Sequence, residues 1–171
     1  MSATAAVIDT GTTLIGGPSA AVASVYAQIA NAEAVTVDGE TGYYSYPCEQ
    51  TVDVAFTFGG VSYSIPSANF NAGTLSSDDT TTCLGALFVV DSSSSYTWIV
   101  GDAFLNGVYS AFRFSGTPAV GFATLGSGGT ISANDSATTT TNTSTSPAGA
   151  VSAGSALGLV ALVTVVASML L

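Results

Sequence analysis

The chain has 171 residues, eleven carboxylates, one basic residue and no histidine, for a formal charge of −10 at pH 7. A Ser-His-Asp triad, a Cys-His pair and a His-ligated metal site are excluded within it. With Arg113 as its single cation, phosphate binding is poorly served, so nucleic acid is not an expected partner.

Taken in chain order, Ala5-Ala6-Val7-Ile8 reads as a buried strand that ends in Asp9-Thr10-Gly11-Thr12-Thr13-Leu14. The apolar run anchors the strand, Gly11 permits a tight turn that a Cβ would obstruct, and the threonine hydroxyls can hydrogen-bond a carboxylate or nearby backbone. On its own the Asp-Thr-Gly stretch also fits an ordinary Asx-type turn. Pro18 to about Ala30 is expected to be helical, with Pro18 in the first turn and Val22, Val25, Tyr26 and Ile29 sharing a face. Thr51 to Phe58 alternates as a strand, and Gly59-Gly60 turns it into Val61 to Ile65. Cys83 to Val90, Trp98 to Val100 and Val108 to Phe114 read as further strands. Ser76 to Thr82 and Asp91 to Ser95 read as polar loops. Asp102 follows Gly101 and is expected to cap a short helix. Cys48 and Cys83 are expected to form one disulfide, closing a loop whose constraint is worth roughly 3–4 kcal/mol in the chain-entropy model. There is no CxxC, and two cysteines without histidine close no zinc site, so neither metal nor cofactor is expected.

Three regions follow. Residues 1–125 can bury one core. Residues 126–156 are Ser, Thr, Ala and Gly without aromatics, a composition that builds no core and reads as a disordered, glycosylated stalk or linker. It carries two sequons, at Asn134 and Asn142. Residues 157–171 are a terminal apolar run of fifteen residues, short for a bilayer span of about 20. Small residues, a weakly polar spacer and an apolar end form the pattern of a GPI-attachment signal, with a plain apolar membrane tail as the alternative. Asn142 is a candidate attachment residue, in which case it carries no N-glycan.

Tyr96-Thr97-Trp98-Ile99-Val100-Gly101-Asp102-Ala103-Phe104-Leu105, then Ala119-Val120-Gly121-Phe122-Ala123, follow Asp9-Thr10-Gly11-Thr12 in an order that closely resembles the C-terminal lobe of pepsin-like aspartic proteases. The resemblance covers roughly residues 3 to 124. It implies an all-β fold, one lobe of a bilobal protein with one or two short helices, and a disulfide in the Cys48–Cys83 region. It also implies that Asp9 is one of two catalytic aspartates. Thr10 would join the grip between the two aspartate loops. Gly11 and Thr12 would bond substrate backbone, and Ile15 and Ile99 would line side-chain pockets. Gly101 would pack beneath the aspartates, and Asp102 would be structural. Arg113 departs from the family pattern, which often has Asp there, but lies away from the site.

The chemistry of such a site needs two carboxylates sharing one proton, and this chain supplies one. Asp91 lacks the following glycine and reads as a loop residue. The chain also begins eight residues before Asp9 with no signal peptide, although its tail suits a secreted protein. The expectation is therefore the C-terminal half of a secreted, surface-anchored endopeptidase acting on peptides at acid pH, inactive without its N-terminal lobe. Pairing of two copies through their Asp9 loops, as in retroviral proteases, is a second possibility. A non-catalytic surface or wall β-domain that keeps the protease fold is a third.

Overall fold

The structure is a computed structural model of the protein; it describes residues 4–90, 97–125, 149–152 and 161–167. The first strand, β1 (Thr4–Ile8), runs directly into Asp9. β2 (Ile15–Gly17) leads to α1 (Ser19–Tyr26). Pro18 is the residue before the first helical turn rather than within it. The helix is shorter than the apolar spacing suggested: beyond Tyr26 the amides of Gln28 and Ile29 bond three residues back, to Val25 and Tyr26. The chain then reaches Asn31 with a φ of 57°. Ile29 is nevertheless buried with Val22, Val25 and Tyr26.

β3 (Glu33–Val37), β4 (Glu40–Pro47), β7 (Asn71–Ser76) and β8 (Asp79–Gly85) form a four-stranded sheet in the order β3-β4-β8-β7. The stretch expected to be a loop at Ser76–Thr82 is thus largely a hairpin, in which Ser76 pairs with Asp79. Its threonine-rich strand has no apolar period to announce it, and it earns its place by backbone pairing. β5 (Val54–Phe58) and β6 (Val61–Ile65) make the expected hairpin around Gly59-Gly60, whose φ values of 58° and 86° suit a two-residue primed turn. α2 (Ser67–Phe70) follows it. The expected strand from Cys83 to Val90 is broken at Ala86 into the end of β8 and β9 (Leu87–Val89). β10 (Trp98–Val100), α3 (Asp102–Leu105), β11 (Val108–Arg113) and β12 (Ala119–Thr124) complete the main body.

Two short strands come from the tail. β13 (Gly149–Ser152) pairs antiparallel with β12, giving a sheet ordered β11-β12-β13. β14 (Ala161–Ala167) enters the largest sheet, ordered β6-β5-β14-β1-β10-β2-β9. Composition concealed these strands: a Ser/Thr stalk and an apolar terminus carry no alternating signature. The remainder of 126–171, with both sequons, and the Asp91–Tyr96 segment lie outside the described residues. Among the described residues no helix is long and apolar enough to cross a membrane.

The core is aromatic. Phe56, Phe58, Tyr63, Phe104 and Phe122 meet with ring centroids 4.6–6.5 Å apart, and Trp98 stands edge-on to Phe56. The Tyr63 hydroxyl donates to the Phe122 carbonyl at 2.8 Å, so its polar end is satisfied. Alternation along β5 puts Val54, Phe56 and Phe58 inward. A second cluster joins Tyr26, Tyr44, Tyr46 and Phe70, with Tyr26 stacked on Tyr44 at 4.3 Å. The Cys48–Cys83 disulfide lies beside it, with a Cα–Cα distance of 5.0 Å.

Candidate active site

Asp9 stands where β1 ends. Its backbone is still held in the sheet, since its amide donates to the Val100 carbonyl at 3.0 Å. The side chain is held by its own loop: Oδ1 accepts the Gly11 amide at 2.9 Å and Oδ2 accepts the Thr12 hydroxyl at 2.6 Å. Both donors stabilise the charged form, and Thr12 is the larger influence, followed by Gly11. Together they hold the Asp9 carboxyl below its ordinary value against a small opposing effect of desolvation. Among the described residues no other charge contributes to that shift. A carboxylate fixed through both oxygens keeps its orientation without a neighbouring cation.

The loop is in turn pinned from below. The first amides of α3 donate outward: Asp102 N–H to the Thr12 carbonyl at 2.8 Å, and Ala103 N–H to the Thr13 carbonyl at 2.9 Å. These are groups that a helix start leaves without an internal partner. The Asp102 side chain does not cap the helix, as the sequence had suggested. Gly101 occupies the cap position, without a side-chain bond, and Asp102 is the first helical residue. Gly101 packs so closely that a Cβ would strike the Thr12 and Leu14 carbonyl oxygens. α3 is itself fixed by Phe104, fully buried in the aromatic core. Core, helix, loop and carboxylate thus form one rigid chain of contacts.

The remaining candidate residues divide. Thr10 and Gly11 are exposed beside Asp9, and Thr12 is half-buried. Ile99 is half-buried on β10, with Val7 as its register partner on β1. Ile15 has no exposed surface and belongs to the core cluster. Sequence reasoning overlooked Ala103 and Phe104, which position the loop through a backbone amide and a buried ring. The only hint was an aromatic in a short helical stretch. A cavity of about 540 Å³ lies elsewhere, beside the disulfide, lined by residues such as Glu33, Tyr46, Cys48 and Thr81. It includes no residue of the Asp9 loop. Among the described residues no group of three His, Cys, Asp or Glu side chains could hold a metal ion.

Comparison with known proteins agrees with this geometry. A family model described as eukaryotic aspartyl protease matches residues 1–125. The chain is 49% identical over 131 residues to major aspartyl peptidase 1 of Cryptococcus neoformans var. grubii, covering 75% of this chain and 26% of that protein. It is 46% identical over 125 residues to an aspartic protease of Phaffia rhodozyma, covering 71% and 30%. It is 35% identical over 108 residues to pepsin A of Sus scrofa, covering 63% and 26%. The chain therefore spans between a quarter and a third of the length of these relatives.

Proposed function

The chain belongs to the eukaryotic aspartyl proteases, and from that premise we propose that it is the C-terminal half of an acid-active endopeptidase whose catalytic carboxylate here is Asp9. The observation that carries the reading is the double hydrogen bond to Asp9 on a loop clamped by α3. Peptide hydrolysis by carboxyl groups needs two of them sharing one proton. One activates the attacking water and the protonated partner polarises the scissile carbonyl. The pair titrates as a unit. Asp9, held charged by Thr12 and Gly11, suits the member that takes a proton from water. The second carboxylate comes from the part of the protease that corresponds to the rest of the relatives' length, and that part also closes the cleft over Asp9. The substrate is a peptide, with Gly11 and Thr12 beside its backbone and Ile99 beside a side chain. A second copy of this chain is the alternative source of the partner aspartate. The tail composition favours a secreted protein attached to the cell surface through a lipid anchor, a reading tested by release with a phosphatidylinositol-specific phospholipase C.

The deciding experiment is Asp9→Asn in the full-length protein, assayed on denatured protein at acid pH. The expected result is a loss of at least the 10²–10⁴-fold that general acid–base groups contribute. Cleavage at the parental rate overturns the assignment. A parental protein that cleaves nothing at any acid pH points to a non-catalytic surface domain on the same fold.

A further inference from the structure

The cavity beside the disulfide is built on one face of the four-stranded sheet. Register sets Glu33 of β3 opposite Ser45 of β4, and Pro47 of β4 opposite Thr82 of β8. Paired residues stand on the same side of a sheet, and alternation adds Thr80 to that side. All five line the cavity. The turn that follows β4 carries Glu49, which lines it too. Gln50 N–H closes that turn onto the Pro47 carbonyl at 3.0 Å. Three ties fix its position. Cys48 N–H donates to the Thr81 carbonyl at 2.8 Å, the Gln50 side chain donates to the Ala30 carbonyl at 2.8 Å, and Cys48 is bonded to Cys83. The walls are thus set in advance, which spares a ligand the cost of ordering them.

Two features of the lining select a ligand. Ser45 is only 5% exposed, yet its hydroxyl makes no hydrogen bond with any described residue. Among the described residues every side-chain oxygen or nitrogen sealed from solvent has a partner. The Ser45 oxygen therefore keeps some access, and the cavity it lines supplies it. A polar group so nearly buried and without a partner is one that a ligand can satisfy. The second feature is charge. Glu33 and Glu49 bring two carboxylates, and no cation lines the cavity. Arg113, the chain's single cation, donates instead to the Thr117 carbonyl on the β11–β12 connection. Carboxylates only accept, and the hydroxyls of Ser45, Thr80 and Thr82 can accept. The complementary group is an ammonium, a compact charge with three donors and no acceptor.

We propose that this cavity binds the ammonium of a lysine side chain presented by a polypeptide, with Glu33 and Glu49 balancing its charge and Ser45 accepting one of its N–H donors. A volume of about 540 Å³ has room for the lysine stem and adjoining backbone, and falls within the range of pockets that take molecules of that size. Pro47 offers the apolar surface against which such a stem lies. The inference does not depend on whether Asp9 is catalytic, because no residue of the Asp9 loop lines the cavity.

The test is a titration of the 171-residue chain at neutral pH, followed by amide NMR in about 0.1 M salt, where distant charges are screened. The probe is Nα-acetyl-lysine methylamide, whose backbone is uncharged. Nα-acetyl-norleucine methylamide has a similar stem without the ammonium, and putrescine has the ammonium without the backbone. The lysine probe is expected to shift the amides of Ser45, Glu49 and Thr82 saturably, and the norleucine probe to leave them in place. Glu33 and Glu49 are exposed, so Glu33→Gln with Glu49→Gln should fold normally and weaken binding about fivefold or more. Asp38→Asn with Glu40→Gln removes as much charge outside the cavity and is expected to change binding by less than about twofold. Ser45→Ala removes no charge and is expected to weaken binding about threefold or more. Absence of a saturable shift at these amides overturns the proposal. So does an equal response to the norleucine probe, an equal loss from the two pairs of charge changes, or full binding by Ser45→Ala. A response to putrescine with the lysine probe silent overturns the polypeptide as the source of the ammonium.

Discussion

Asp9 and Asp79 are gripped by the same short-range chemistry on two different scaffolds. Asp9-Thr10-Gly11-Thr12 and Asp79-Thr80-Thr81-Thr82 each put a backbone amide two residues on and a threonine hydroxyl onto the carboxylate. The distances match, at 2.9 and 2.6 Å in both cases. Both carboxyls are held below the ordinary value, Asp79 at about 2. What differs lies underneath. Asp79 opens a strand on a surface hairpin, whereas the Asp9 loop is bolted to α3 and through Phe104 to the aromatic core. A depressed carboxyl pKa is thus a property of four residues, while the position proposed for catalysis also draws on the scaffold beneath them.

The sharpest test of that contrast is the pair of isosteric amides in the full-length protease. Asp9→Asn is expected to lower kcat by the 10²–10⁴-fold already given, and Asp79→Asn by less than about twofold, as for a surface change away from the site. Comparable losses from both would erase the distinction. The scaffold itself is tested next by Gly101→Ala. The Gly101 backbone, at φ −104° and ψ −159°, is one that alanine adopts freely. The cost is therefore steric: a methyl against two carbonyl oxygens that belong to the clamped loop. A loss of about 1–3 kcal/mol is expected from thermal unfolding, with kcat falling further than stability alone accounts for. A silent Gly101→Ala would mean that the loop yields and that the clamp matters little. Smaller again is Thr12→Ala, which removes the shorter bond to Asp9. Its carboxyl pKa should rise, so protonation reaches it at higher pH and the acid limb of the kcat profile moves upward. An unmoved limb would show that Gly11 alone sets the charge.

The residues of the site were more legible than the frame that holds them. Asp9, Gly11 and Thr12 interact within four positions, so their geometry follows from turn chemistry that a sequence displays. The strands β5, β6, β10 and β11 were equally plain, because alternation, apolar runs and glycine pairs are local signals, whereas β12 was expected only through the family resemblance. The clamp was not, because it is made of backbone amides on α3 meeting carbonyls some ninety residues away, and a backbone amide leaves no trace in side-chain pattern. The polar hairpin β7–β8 was missed for a related reason: β7 is exposed throughout and the first half of β8 is largely so, and pairing rather than an apolar period holds them. β14 was concealed in another way. Its apolar run reads as a membrane signal, and its pairing with β1 and β5 is a long-range register that no local pattern announces.

The mildest change isolates the local motif from everything else. Thr81→Ala removes the hydroxyl that is the largest single cause of the depression at Asp79; the Thr81 amide and Thr82 remain. The Asp79 carboxyl should therefore titrate between about 2 and its unperturbed 3.8, as followed by the NMR shift of its side-chain carbon. The sign of the linked stability is fixed by the direction. A carboxyl whose pKa is lower folded than unfolded stabilises the fold above the unfolded value, and that contribution drains away as pH falls through the folded one. The parental chain should thus lose the Asp79 contribution between about pH 4 and pH 2, and Thr81→Ala should lose less over the same interval, having less to lose. At neutral pH the variant should melt close to the parent, since a solvent-exposed charge interaction is largely screened. Were Asp79 unmoved by Thr81→Ala while Asp9 responded to Thr12→Ala, the hydroxyl would act only on a supported loop, and the resemblance between the two motifs would be one of spelling alone.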